Sequence, residues 1–170
     1  LFRGETTEHK QHVYGLMTTR GIINGSTHFG IRSVRNKQFK YILNLTPDIG
    51  FKNACTQGVV FKSWEKLASA GNQAAKDKVT RYRVRPAVEL YDISKDQYEW
   101  KNLANDPKYA KVKANLKNEL ASWMKAQGDL GQQTELEARE HQARNRKKKA
   151  NAKKPKTKTK KQKATRKKTE

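Results

Sequence analysis

The chain has 170 residues, about one domain's length, and its 38 Lys and Arg against 16 Asp and Glu give a formal charge of +22. All 14 aromatics (5 Phe, 3 Trp, 6 Tyr) lie at or before Trp123, while residues 144–170 hold 15 Lys and Arg against one acid and contain no aromatic, Leu, Ile or Val. That segment cannot bury enough apolar surface to offset its ordering entropy, so the composition predicts one modest folded unit over 1–131 and a disordered, Lys-rich tail over 132–170.

The first element is a β-prone run over 12–19, His12 to Thr19, followed by turn chemistry at Gly21, Asn24, Gly25 and Ser26. Apolar and polar side chains then largely alternate over 29–34 and 39–45, the period of a strand. Phe39, Tyr41, Leu43 and Leu45 share one face, Lys40 and Asn44 the other, and Arg35-Asn36-Lys37-Gln38 suits a hairpin. Thr46-Pro47-Asp48 breaks the pattern. Ser63 reads as the cap of a short helix over 64–70, closed by Gly71, with a weaker helical turn over 73–79. Pro86 opens a further strand over 87–93.

The clearest element is the last. Asp106 is a good N-cap and Pro107 occupies the first helical position, where its missing N–H costs nothing. Tyr109, Val112, Leu116, Leu120 and Trp123 recur at spacings of three and four, which marks one apolar face, and Gly128 ends it. Strands precede the main helix without βαβ alternation. The expectation is an α+β unit: a small antiparallel β-sheet with a packed C-terminal amphipathic helix. With Phe39, Tyr41 and Leu43 on one side of the sheet and Ile42 and Val34 on the other, both faces are partly apolar. This predicts a partner domain. The chain opens Leu1-Phe2-Arg3-Gly4, with neither Met nor a leader pattern, and reads as a piece of a longer protein.

A lone cysteine, Cys55, excludes an internal disulfide framework and a Cys-x-x-Cys metal site, and nothing beside it marks an activated thiol. His9, His12, His28 and His141 lack partners at ligand spacing, so no metal site is predicted; His28, beside a turn and before a strand, is the best placed to line a site. Phosphate loops and the Gly-x-Ser-x-Gly nucleophile pattern are missing. No stretch approaches the roughly 18 apolar residues of a membrane span. The tail, with Arg146, Lys147, Lys148, Lys149, Lys153 and Lys154, is a polycation that binds polyanions by counterion release without reading sequence.

Several blocks resemble the C-terminal part of the formylglycine-dependent sulfatases, in the alkaline-phosphatase-like superfamily, nearest to the heparan N-sulfatase (sulfamidase) type. They are Tyr14-Gly-Leu-Met-Thr-Thr-Arg-Gly21, Ile31-Arg-Ser-Val-Arg35 leading into Phe39-Lys-Tyr-Ile-Leu-Asn-Leu45, Phe61-Lys-Ser-Trp64, Arg85-Pro-Ala-Val-Glu-Leu-Tyr-Asp-Ile93 and Asp96-Gln-Tyr-Glu-Trp-Lys-Asn-Leu-Ala-Asn-Asp-Pro107. Together they cover about residues 1–128 in family order. The resemblance implies a C-terminal domain packed against a larger α/β N-terminal catalytic domain, which would supply the formylglycine and the calcium ion. Neither cofactor is expected in this chain: at Cys55 the Cys/Ser-x-Pro-x-Arg pattern fails, because position 57 is Gln and position 59 is Val.

By the same resemblance, Thr18, Thr19, Arg20, His28 and Arg32 are the candidate substrate contacts at the pocket rim, a guanidinium fork being suited to sulfate or carboxylate. The implied parent acts on sulfate esters or sulfamates of carbohydrate and is periplasmic or extracellular. The chain alone is expected to be inactive, with the tail free to engage sulfated polysaccharide. The competing reading is a nucleic-acid-associated protein that binds through the tail.

Overall fold

The computed structural model describes residues 10–18, 24–138 and 140. The chain divides into one unit over Leu1–Ala138 and a second over Arg139–Glu170, and of the second only Glu140 is among the described residues.

Four strands, β1 (Val13–Met17), β2 (Ile31–Arg35), β3 (Phe39–Asn44) and β4 (Val88–Asp92), pair antiparallel in the order β1-β2-β3-β4. The β2–β3 hairpin closes on Asn36, whose Oδ1 accepts from the amides of Gln38 (2.9 Å) and Phe39 (2.7 Å). This Asx turn substitutes for the absent Asn-Gly signal. The register pairs Tyr14 with Val34, Val34 with Tyr41 and Tyr41 with Leu90. Directly opposed residues share a face, so Val34 lies with Tyr41 and not with Ile42 as the alternation suggested.

That face is covered by α3 (Ala110–Ala126), which Asp106 opens through a short 3-10 turn at Pro107–Tyr109. Leu116 and Leu120 are buried against Val34, Phe39, Tyr41 and Leu90, with Leu103 and Ala104 completing the core. Burying each leucine contributes about 1.5–3 kcal/mol. The opposite face is covered in part by the chain itself: Ile42, Asn44, Glu89 and Tyr91 are all buried. Asn44 donates to the carbonyl of Pro86 (2.6 Å) and to Glu89 (2.7 Å), and the Tyr91 hydroxyl donates to Glu89 (2.5 Å). On β1, Val13 and Leu16 stay exposed.

Two helices fill the β3–β4 connection. Helix α1 (Val59–Ser69) begins at Gly58, not at Ser63, whose hydroxyl donates to the carbonyl of Val60 inside the helix. Helix α2 (Gln73–Arg83) is capped by Asn72 and runs four residues past Val79. A second aromatic cluster ties them down: Phe51 packs on Phe29 and Tyr82, and Phe61 on Tyr82 and Trp64. The observed class is the α+β arrangement read from the sequence.

The folded unit also continues past Gly131 into α4 (Gln132–Glu137), which the composition had assigned to the tail. Among the described residues no helix is long and apolar enough to cross a membrane.

Candidate functional site

The site is built where the end of α3 meets β2. At Gly128 the backbone turns left-handed (φ +67), where glycine has no side-chain penalty. The Gly128 amide donates to Lys125 (3.0 Å) and the Asp129 amide to Met124 (2.8 Å), which is the paired closure of a Schellman motif. The turn delivers Asp129 to the buried side chain of Arg32 on β2. Arg32 Nε donates to Asp129 Oδ2 (2.5 Å) and Nη2 to Oδ1 (3.2 Å). From the first turn of α4, Glu135 Oε1 lies 2.8 Å from Arg32 Nη2. Nη1 donates to the carbonyls of Met17 (3.3 Å) and Ile31 (3.2 Å).

One cation therefore sits between two carboxylates, all three side chains under 10% exposed. Burial disfavours the Arg32 charge, but hydrogen bonds and attraction from Asp129 and Glu135 outweigh it and hold the guanidinium above its ordinary pKa. Burial likewise pushes the Asp129 carboxyl up. The Arg32 hydrogen bond, the Gly131 amide, the guanidinium charge and Thr134 together win, and its pKa lies below the ordinary value. An Arg fork joined to two acids fixes geometry more than it adds stability, since desolvation offsets much of the attraction.

Around this triad the structure gathers three of the five rim candidates. The Thr18 hydroxyl donates to Glu135 Oε2 (2.5 Å), His28 Nδ1 lies 3.2 Å from the Glu135 carbonyl oxygen, and Arg32 is the hub. Gly30 lets α4 come this close: a Cβ there would stand 2.7 Å from Glu135 Cγ and 2.8 Å from a Leu45 methyl. Thr19 and Arg20 lie outside the described residues, as do Arg146, Lys147, Lys148, Lys149, Lys153 and Lys154 of the tail. Asp129 and Glu135 escaped sequence reasoning because their partner lies a hundred residues earlier; the Gly-Asp-Leu-Gly stretch at 128–131 was the available signal.

Next to the triad lies a recess of about 350 Å³, whose lining includes Tyr14, Leu16, Arg32, Trp123 and Thr134. Tyr14 and Trp123 stack with ring centres 4.8 Å apart. The Tyr14 hydroxyl donates to Glu119 (2.5 Å), and that hydrogen bond, with burial and the Glu119 charge, pushes its pKa up to about 12. The recess thus offers flat aromatic surface beside a cation whose donors are already engaged. A flat ring can pack on such a surface.

Cys55 is exposed in a 3-10 turn that Asn53 caps. Among the described residues no three His, Cys, Asp or Glu side chains cluster as metal ligands. The buried acids Asp129 and Glu135 are paired with Arg32. The described residues therefore do not fit a calcium ion, and no Cys/Ser-x-Pro-x-Arg sequence is present to yield formylglycine.

No family model matches the chain. An ulvan-active sulfatase of Formosa agariphila is 34% identical over 131 residues, 76% of this chain and 24% of its own length. The N-sulphoglucosamine sulphohydrolase of Homo sapiens is 32% identical over 98 residues, 56% of this chain and 20% of its own. Among solved structures, a 2-O GAG sulfatase superposes over 75% of this chain and 19% of its own, at 24% identity and a TM-score of 0.43. The chain spans about a quarter or less of the length of the curated relatives it matches.

Proposed function

We propose that this chain, a relative of the sulfatases that fits the C-terminal part of such enzymes, completes the fold of a sulfuric ester or sulfamate hydrolase acting on sulfated carbohydrate and shapes the rim of its substrate pocket. The observation that carries this reading is the 34% identity over 131 residues, 76% of this chain, to the ulvan-active sulfatase. In this reading the reacting group, formylglycine, and its calcium ion belong to an N-terminal catalytic domain, and the present residues bind and position.

Thr18, Thr19, Arg20 and His28 form the rim. Arg32 acts as a positioning residue: by holding Glu135 and Asp129 it fixes the Thr18 hydroxyl and the loop that carries His28. The Lys-rich tail, with Arg146, Lys147, Lys148, Lys149, Lys153 and Lys154, keeps the enzyme on the polymer it cleaves, since a sulfated polysaccharide is a polyanion. No observation favours nucleic acid over sulfated glycan as that polyanion, and the relatives favour the glycan.

The test is sulfate release from sulfated polysaccharide by the product of the longer reading frame that encodes this chain. Release is expected from that product and none from the present chain alone. In the longer product, Thr18→Val and His28→Ala raise KM with kcat nearly unchanged, and deletion of 144–170 weakens salt-sensitive retention on the polymer. Sulfate release by the isolated chain would refute the reading.

A further inference from the structure

Between α1, α2 and the loop after β4 lies a cleft of about 300 Å³ lined by Trp64, Lys78, Arg81, Tyr82, Arg85 and Trp100. Lys78, Arg81 and Tyr82 recur at spacings of three and four, so α2 presents them on one face. Two of the three tryptophans of the chain meet here, and Trp100 is 61% exposed.

The cations are held, not loose. Arg81 lies 4.5 Å over the Trp100 ring, and its two terminal nitrogens donate to the carbonyls of Glu99 and Trp100, which fixes the guanidinium plane. Lys78 stands 5.6 Å from the Trp64 ring centre. Among the described residues neither Lys78 nor Arg81 forms an ion pair. Arg85 borders the cleft with its Nε buried and unpartnered. Its nearest acid, Glu89 at 3.8 Å, is already taken by Asn44 and Tyr91.

Three cations beside two indole rings, with the Glu89 carboxylate shared among Arg85, Asn44 and Tyr91 and the Asp96 carboxylate near Arg81 accepting from the Lys101 amide, leave an excess of positive charge next to flat apolar surface. A sulfated sugar residue is complementary to both halves. Its sulfate oxygens accept charge-assisted hydrogen bonds, and the C–H face of its ring packs on an indole. We propose that this cleft is a binding site for a sulfated sugar residue of the polysaccharide chain, with Lys78, Arg81 and Arg85 holding the anion and Trp100 the ring. The inference rests on the reading that the ligand of this protein is sulfated carbohydrate, and it adds to the Arg32 region a second place where the chain holds that polymer.

The full chain is titrated with a heparin-derived tetrasaccharide and with its desulfated counterpart, following tryptophan emission. The tail contains no aromatic, so polyanion bound only there leaves the signal unmoved. The expected result is a saturable emission change with the sulfated probe and at least about tenfold weaker binding of the desulfated one. Trp100→Ala, with Trp64 left as reporter, weakens binding about tenfold, and Lys78→Gln about threefold. Both side chains are exposed, so neither substitution disturbs the core.

Unchanged emission while the chain still binds heparin resin overturns the proposal and leaves only the tail as a polyanion site. Equal affinity in the wild type and both variants overturns it too, as does an oligothymidylate that binds as tightly as the sulfated sugar. Sulfate release is read separately: a longer product that fails to release sulfate while the cleft binds would sink the enzymatic reading alone.

Discussion

Replacing Arg32 with Met keeps most of the aliphatic stem and removes the guanidinium from between Asp129 and Glu135. Both carboxylates then remain buried with no cation, and the carbonyls of Met17 and Ile31 lose a donor. Breaking a buried ion pair by removing one partner costs about 3–5 kcal/mol. Since one side chain here serves two acids, a loss in the upper part of that range, about 4–5 kcal/mol, is expected. Urea unfolding followed by circular dichroism reads it as a midpoint lowered by about 3 M for an m-value near 1.5 kcal/mol/M.

The pH dependence gives a second, independent sign. In the wild type the Asp129 pKa is held below its unfolded value. Its contribution is therefore present above the unfolded pKa, near 4, and is lost as pH falls through the folded one. In Arg32→Met the guanidinium's hydrogen bond and charge are gone, and burial, the largest single influence, outweighs what remains from the Gly131 amide and Thr134. The pKa then rises above the unfolded value, and stability increases as pH falls from 7 toward 5. A variant that loses less than about 1 kcal/mol, or that declines on acidification as the wild type does, would refute the assignment of Arg32 as the hub.

Ending the chain at Gly131 removes Glu135 and α4 from the triad, and is expected to lower stability by about 2–4 kcal/mol in the same urea assay. Tyr14→Phe keeps the stack on Trp123 but loses the bond to Glu119, at about 0.5–1.5 kcal/mol by thermal melting. Because the Tyr14 pKa is raised to about 12, its contribution is full below pH 10 and is lost as pH rises through about 12, so wild type and variant converge in strong alkali. Leu120→Ala opens a cavity at the centre of the α3–sheet contact, and a loss of about 2–5 kcal/mol is expected by calorimetry.

The sheet and α3 were legible because their information is local. Alternation places Phe39 and Tyr41 inward, and the spacing of Val112, Leu116, Leu120 and Trp123 writes a helical stripe. Where the signal was weak, the boundaries moved. Helix α1 starts at Gly58 with no side-chain cap, and its first turn carries Val59 and Val60, exposed β-branched residues that imitate a strand. Helix α4 was invisible for another reason. Gln-Gln-Thr-Glu-Leu-Glu has one large apolar residue, Leu136, and it is exposed; the segment is held by Glu135, whose partner Arg32 lies on β2.

The candidate site divides the same way. Thr18, His28 and Arg32 came from the resemblance, and the fold brings them together on Glu135. The acids that hold them, and the aromatic-cationic cleft between α1, α2 and the loop after β4, depend on tertiary placement that no spacing encodes.

The most direct test of the account is mass spectrometry of the natural polypeptide captured through this chain. The account predicts one polypeptide about three times as long as this one, since the 131 matched residues cover 24% of the ulvan-active sulfatase. It also predicts a peptide carrying formylglycine in place of the Cys or Ser of a Cys/Ser-x-Pro-x-Arg sequence. A captured polypeptide with no such sequence anywhere in it would contradict it.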